Sequence, residues 1–512
     1  MSAQSENTKR IARNTLMLYL RMLFGMLVSL YTSRLVLQAL GEEDYGIYNV
    51  VGGVVAMFSL ISGSLSSSVG RFLTFELGRG NEQGLKRIFA TSLSIHLVLA
   101  LVILVLVETV GVWFLNSHMT IPPERLEAAN WVLHASVFTF AINLLSVPFG
   151  ASIIAHERMT AFAYIGILDI LLRLLIVLQV AWGAGSSDRL ILYAWLLAGE
   201  GALMQVIYWI YCRRHFAECR FRFRFDTQYW RSMSSFAGWN FIGTTAALLK
   251  DQGVNILLNL FFGPIVNAAR GIANTVNNVL ASFSNNFMTA LNPQITKSYA
   301  AGERDYMFSL VERGSRFSYY ILLVLALPML FETEFVLNLW LKNYPAHTVN
   351  FVRLVLLVTL CDILSNTLVT VQSATGRIRN YQIVVGGMLM NFPLSYLFLR
   401  LGFAPESTMV VALGVSVCCL MLRLLFLRSM AGLSVRRYLR RVCLNVLLVS
   451  AAAVVVPLAV YMQMTDGLLR FGVIVGLTVL CTLASIYWVG CTPGERLFIR
   501  ERMAAVSRKL IR

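Results

Sequence analysis

An all-α protein that crosses a membrane about fourteen times is the fold class this chain predicts, and three observations predict it. Of its 512 residues 57% are hydrophobic and only 13% are charged, whereas a soluble protein carries about a quarter charged residues. The apolar residues fall into runs of about 20, the length a helix needs to cross roughly 30 Å of hydrocarbon. The third observation is where the net charge of +17 resides. With the N-terminus placed inside, about 31 of the 43 Lys and Arg fall in cytoplasmic loops and tails and about 5 in outer loops, a strong positive-inside asymmetry. The remainder (Arg21, Arg34, Arg173, Lys250, Arg270, Arg353, Arg423) lie within or at the edges of spans.

The first span runs from Asn14 to Leu40 and ends at GEEDYG; it reads as retained, because no small-residue cleavage site follows the start. Ile47–Val69 follows, then a basic loop with Arg71, Arg79, Lys86 and Arg87. Spans three to six are Phe89–Leu115, Ala128–Ile154, Ala161–Gly183 and Leu190–Tyr211. The longest polar connection comes next; its alternating Arg and Phe from Arg220 to Phe225 suit either an interfacial segment or a solvated linker. A hairpin from Asn240 to Asn292 supplies spans seven and eight around the turn FFGP. Phe317–Phe331, Thr348–Ser373, Tyr381–Leu399 and Thr408–Leu427 complete twelve. Val442–Met462 and Phe471–Val489 bring the total to fourteen and leave both termini on one side.

An internal repeat divides this series. The offset that lays GEEDYGIYN on FFGPIVNAA matches Gly41 with Gly263, and without a gap Ser62 meets Ser284, Thr74 meets Thr296 and Gly80 meets Gly302. Spans one to six and seven to twelve then read as two pseudo-symmetric lobes of parallel topology, an arrangement that puts transporter sites at the repeat interface. The domain reading is an N-terminal lobe over 1–212, a basic cytoplasmic linker over 213–233, a C-terminal lobe over 234–430, and two additional spans with a basic tail over 431–512.

The hairpin is where function is expected. Its first half carries Lys250, Asp251, Gln252, Asn255 and Asn259; its second carries Arg270 and a run of asparagines from Asn267 to Asn292. An ionised group at mid-bilayer costs roughly 2.5 kcal/mol or more, so such groups face protein or water. Asn267, Arg270, Asn274, Asn277 or Asn278, Ala281 and Asn285 recur at three- and four-residue steps and share a face. Asn240, Thr244, Asp251, Asn255 and Asn259 do likewise. That face either lines a water-filled path or bonds neighbouring helices together. Arg21 and Arg34 lie about 220° apart around the first span, so a single cavity admits both only if the span bends. The carboxylates within spans are Glu108, Asp169, Glu200, Asp251 and Asp362. Asp169 and Arg173 form an i,i+4 pair, whereas Glu200 and Asp362 have no partner on their own helices and are candidates for protonation. His96 and His134 read as packing residues. The eight cysteines fall in spans or on the cytoplasmic side, which offers neither a disulfide framework nor a metal cluster.

The stretch SRLVLQALGEEDYGIYNVVGGVVAMF resembles the start of bacterial polysaccharide transporters, the Wzx-type flippases. DQGVNILLNLFFGPIVNAARGIA and ALNPQITKSYAAGE resemble the same family in its second lobe, so that the similarity covers residues 10–430. The resemblance places the chain in a superfamily with the multidrug and toxin extruders and the lipid II flippase. It implies two six-helix lobes forming a V around a central cavity, with the last two spans added. It implies translocation of undecaprenyl-pyrophosphate-linked oligosaccharide from the cytoplasmic to the periplasmic leaflet of the bacterial inner membrane, by alternating access coupled to H+ or Na+. Substrate contacts would then fall to Lys250, Arg270, Arg21, Arg34, Asn255, Asn274 and Asn278, since a pyrophosphate calls for cations and a sugar for amides. Ion coupling would fall to Asp251, Glu200 and Asp362. A lipid II flippase or a multidrug exporter are alternatives within the superfamily; a membrane-embedded polymerase or ligase is an alternative outside it, disfavoured by short outer loops. Expected partners are the lipid-linked substrate, anionic lipids at the basic loops, and polymerase and glycosyltransferases of the same pathway. No cofactor, metal or nucleic acid is expected.

Overall fold

The computed structural model describes residues 3–56, 58–118, 121–183, 188–220, 226–341, 343–376, 387–497 and 500–501. Among them the regular structure is entirely helical. The chain opens with α1 (Ala3–Ala56), α2 (Ser59–Arg79) and α3 (Glu82–Leu106), and a π turn leads into α4 (Val112–His118). Next are α5 (Leu126–Ala155), α6 (Met159–Trp182) and α7 (Arg189–His215). The hairpin forms α8 (Thr227–Phe262) and α9 (Pro264–Ala300), and α10 (Arg304–Phe331), α11 (Thr333–Leu341) and α12 (Thr348–Thr375) follow. The last are α13 (Asn391–Arg400), α14 (Ser407–Ala431), α15 (Val435–Tyr438), α16 (Leu444–Tyr461) and α17 (Leu468–Ser485).

Ten stretches among the described residues are long and apolar enough to cross a membrane. They lie in the first part of α1, in α3, α5, α6, α7, α10, α12 and α14, in α15 with α16, and in α17. Hence the chain is a multi-pass membrane protein. Two further helices, α2 and α9, have the length for a span but are too polar to count by composition, and the described end of α8, Gln252–Phe262, is a shorter apolar helix. The eleventh predicted span, Tyr381–Leu399, lies partly outside the described residues, as do the alternating residues 221–225.

Two pairs of left-handed glycines sit where the repeat places them. Gly41 breaks α1 and Gly263 separates α8 from α9, each with φ of 82°. Gly80, which caps α2, and Gly302, which follows α9, have φ of 67° and 80°. A Cβ added at any of the four would meet nothing within 4 Å, so backbone conformation and not crowding selects glycine there.

The chain divides into two compact units, Met1–Thr245 with Thr296–Glu303, and Ala246–Ile295 with Arg304–Arg512. In the first, α5 is the central helix and packs against α7, α3 and α2. Its small residues Ala129, Val132 and Ala135 are fully buried, and Phe149 meets Phe89 edge to face at 5.2 Å. In the second, α12 packs against α14 and α10, and the pair α16–α17 packs against α10. That pair is tied down by polar bonds inside the unit. The buried Tyr438 hydroxyl bonds Ser315 Oγ at 2.8 Å and the Leu364 carbonyl at 2.7 Å. Arg316 donates to the Gly490 carbonyl and to Glu495, both at 2.7 Å. Tyr319 and Ser450 share a hydrogen bond of 2.8 Å.

One end of the first unit is held by Arg125, just ahead of α5. It bonds both carboxylate oxygens of Asp44, through Nε at 2.8 Å and through Nη2, and it reaches Asp188 through Nη1 at 2.6 Å. Asp188 in turn caps α7 by accepting from the Leu190 and Ile191 amides. Burial pushes the Asp188 carboxyl up, but the bonds from Arg125 and from those amides outweigh it and hold it below the usual carboxylate range. A depressed carboxyl adds stability above its unfolded value of about 3.9 and loses it as pH falls through the folded value. Arg125→Met is therefore expected to lower stability by roughly 1–2 kcal/mol at neutral pH, an effect tempered by partial exposure. Melting followed by circular dichroism in detergent should show the gap between variant and wild type closing as pH falls below about 4. A gap that stays constant with pH would refute the clamp.

Candidate functional site

Two polar constellations stand out, one in each unit. In the second unit the hairpin helix α9 presents an exposed line of polar and small residues. Gly271, Thr275, Asn278 and Asn285 are exposed, and Ser282 and Thr289 are half-buried at the same three- and four-residue steps. From Gly271 to Thr289 the line rises about 27 Å at 1.5 Å per residue, most of a bilayer's hydrocarbon depth. The hydroxyls of Thr275, Ser282 and Thr289 bond backbone carbonyls of their own helix. Asn278 and Asn285 are exposed, and their side-chain amides have no hydrogen-bond partner among the described residues.

The opposite face of α9 is interior, with Ala269, Ala273, Ser284, Met288 and Leu291 buried. Amides next to it act as interhelical ties: Asn277 accepts from Thr359 at 2.7 Å and Asn292 accepts from Thr370 at 2.8 Å, both on α12. The polar face read from spacing therefore divides in two, with Asn278 and Asn285 on its exposed part. Its Asn267–Arg270–Asn274–Asn277 edge is half-buried or buried, and the exposed line runs one position further round the helix. Arg270 is 3% exposed and donates to the Asn255 carbonyl oxygen, and Asn255 donates to Gln252 at 3.1 Å. Arg270 therefore sits inside the hairpin and does not snorkel. Asn274 is half-buried on the same helix. The side chains of Lys250, Asp251 and Arg34 lie outside the described residues.

In the first unit, a cavity of about 390 Å³ opens beside α1, α6 and α7. Tyr45, Tyr48, Tyr193, Asp169 and Arg173 line it. Arg173 bonds Asp169 at 3.2 Å, as the i,i+4 spacing predicts, and it also lies 3.8 Å from Glu200 on α7. The two carboxyls thus share one guanidinium. Glu200 has no partner along its own helix and finds one across helices, in Arg173 of α6. Tyr48 and Tyr193 close the mouth, their rings tilted with centroids 5.1 Å apart. The DYGIY motif has a divided role here. Asp44 serves the Arg125 clamp, while Tyr45 and Tyr48, one helical turn apart, supply the cavity wall.

Arg21 lies across α6, its guanidinium 4.6 Å from the centre of the Phe162 ring and so close to Gly166 that a Cβ there would come within 2.3 Å of Nε. Asp362 is half-buried on α12 without an ion pair among the described residues. His96 is fully buried and bonds only the Ser92 carbonyl, as a packing residue would. His134 differs from its expectation: it bonds Glu108, which the π turn at Val107–Gly111 carries, at 2.8 Å.

Sequence reasoning missed two further charged centres. Glu157, in the short α5–α6 turn with φ of 58°, is buried and takes ion pairs from Arg10 at 2.9 Å and Lys297 at 2.6 Å. Arg71 lies among the rings of Phe72, Phe75 and Phe236, 4.4 to 5.7 Å from their centres. Glu157 and its two cations are far apart in sequence, and so is Phe236 from Arg71, so only the fold joins them, whereas Phe72 and Phe75 are neighbours of Arg71 on α2.

The fold is similar to those of solved transporters. A multidrug resistance MATE family transporter of the MOP superfamily, in an outward-facing conformation, superposes with a TM-score of 0.71 at 12% identity, over 83% of this chain and 96% of that one. A MOP superfamily transporter from Pyrococcus furiosus matches with a TM-score of 0.70 at 12% identity over the same shares. Within that fold the chain belongs to the family of polysaccharide biosynthesis proteins, whose profile matches residues 9–299. The membrane protein EpsK of Bacillus subtilis (strain 168) is 22% identical over 309 residues, and the matched region spans 60% of either protein.

Proposed function

We propose that this protein is a flippase that moves an undecaprenyl-pyrophosphate-linked oligosaccharide from the cytoplasmic to the periplasmic leaflet of a bacterial inner membrane, with both termini in the cytoplasm. Family membership supports the substrate class, and the observation that carries the reading is the exposed amide line on α9. A glycan cannot cross hydrocarbon without exchanging its hydrogen bonds with water for others. A helix face of bilayer length with free amides offers them in sequence, and such a face against lipid would be penalised at every step. Arg270 and Lys250 are the hairpin's cations for the pyrophosphate, and Arg21 and Arg34 those of the first span.

Coupling is assigned to the cavity of the first unit, where Asp169 and Glu200 share Arg173. A proton between the two carboxyls replaces the repulsion of like charges by a hydrogen bond, and Arg173 disfavours a second metal cation at the same place. We therefore take the proton as the driving ion. Asp362 and Asp251 are secondary candidates in the other unit.

The test is transport of a fluorescent polyprenyl-pyrophosphate glycan in vesicles with an imposed pH gradient. Wild type should accelerate with the gradient, and Glu200→Gln should lose at least about tenfold of that acceleration while keeping its ungated rate. Transport by wild type that ignores the gradient would remove coupling from the proposal. Failure to move the glycan while a cationic drug is exported would favour the multidrug reading, for which the tyrosine-lined cavity with Asp169 in its wall is the specific observation.

A further inference from the structure

The first unit has a larger cavity, of about 1010 Å³, that the transport reading does not use. Its floor is Phe149 of α5, one wall is Phe89 and Leu93 of α3, and the other is Trp209 and Ile210 of α7. Its rim is formed by Arg213 and Arg214 in the last turn of α7 and by Arg220 just beyond. Such a cavity is apolar at depth and cationic at the edge.

Among the described residues no carboxylate consumes these cations. Arg214 and Arg220 have no ion pair among the described residues, and Arg213 only lies over the Trp209 ring, 5.1 Å from its centre. The nearest acid in sequence, Glu218, is buried and taken by His156 at 2.6 Å. Asp226 caps α8 through the Gln228 and Tyr229 amides and lies 3.7 Å from Arg87. The carbonyl end of α7 brings a partial negative charge, equivalent to about half a unit, which three guanidiniums exceed several times over.

The walls continue away from the rim as apolar surface. On α7, Leu203, Val206 and Ile210 are exposed on the same face as Arg213, at steps of three and four. On α3, Leu97 is exposed one turn beyond Leu93. The aligned pattern of guanidiniums above two greasy rails matches an amphiphile, with the anionic head at the rim and a chain running between α3 and α7. A soluble phosphate would use only the rim and leave the rails bare.

We infer that this groove is a binding site for an anionic glycerophospholipid, its phosphate held by Arg214 and Arg220 and an acyl chain lying over Phe149 between Leu93 and Ile210. Arginine suits the head because its planar fork pairs with two phosphate oxygens at once. The site lies wholly within the first unit and does not depend on what the protein transports.

The experiment is native mass spectrometry of the full-length protein released from detergent after titration with dioleoyl-phosphatidylglycerol. Wild type should retain the lipid, and Arg214→Gln with Arg220→Gln should weaken retention by roughly tenfold or more. Leu93→Trp, which keeps every cation but fills the groove, should weaken it similarly, and Arg428→Gln, a basic residue of the other unit, should not. All variants must elute as a single helical species. Equal retention by the double variant, or of dioleoylglycerol, which lacks the phosphate, would overturn the inference. So would displacement by inorganic phosphate at millimolar concentration, since the rails would then contribute nothing, or displacement by equimolar undecaprenyl pyrophosphate, which would reassign the groove to the transported lipid. Binding is read without transport, so the two readings fail separately.

Discussion

Glu332→Ala is expected to destabilise the second unit by about 3–5 kcal/mol, the cost of leaving one member of a buried ion pair unpartnered. Glu332, at the α10–α11 junction, is fully buried and receives Arg470 of α17 through two parallel bonds of 3.0 and 3.2 Å. Arg470 also faces the Tyr461 ring at 4.6 Å and bonds Asp466. Asp466 is largely exposed, so in the variant it would be the only carboxylate left to a guanidinium that stays buried. The expected result is a lower melting temperature in detergent and loss of α16–α17 protection in hydrogen exchange, ahead of the rest of the unit. Replacing both partners, Glu332→Leu with Arg470→Met, should recover most of the loss, because two well-packed apolar groups substitute for a buried pair at little cost. A melting temperature unchanged in the single variant would mean that the last two helices contribute nothing to the unit. The sequence reading treats them as an addition. The bonds from Arg316, Tyr319 and Tyr438 make them part of the packing around α10.

What could be read in the sequence follows a physical rule. Features set by local periodicity were legible. The long apolar helices follow from hydropathy, the Asp169–Arg173 pair from i,i+4 spacing, and the Gly41 and Gly263 breaks from the need for a left-handed residue between helices. Features set by which helices become neighbours were not. Arg125 joins residues 81 and 63 positions away, and Lys297 reaches Glu157 across 140. Glu200 has no partner on its own helix, and spacing could not name the one it has on another. The hairpin shows the boundary between the two cases: periodicity was enough to say that α9 has a polar face. It could not say which edge α12 would cover, and a difference of one residue rotates a helix face by about 100°. Arg270 fell on the covered edge and Asn278 on the open one.

That difference decides where the largest effect on transport should lie. If the exposed line is the glycan's path, then Asn278→Leu with Asn285→Leu should reduce surface polysaccharide by roughly tenfold or more at matched protein levels, since each lost amide removes about 1 kcal/mol of hydrogen bonding to a passing sugar. Both side chains are exposed and unpartnered among the described residues, so the fold should tolerate leucine and the melting temperature should move little. The covered edge predicts the opposite pattern. Asn277→Leu breaks the tie from Thr359 on α12, whose half-buried hydroxyl keeps only its bond to the Val355 carbonyl, so its effect should appear in stability first and in export only through lower protein abundance. Arg270→Ala is expected to do both, because the guanidinium is buried against Asn255 and is also the hairpin's described cation. Measuring export and melting together in these variants separates a lining residue from a packing one. Full export by the Asn278/Asn285 variant would move the path off α9, whatever the stability results.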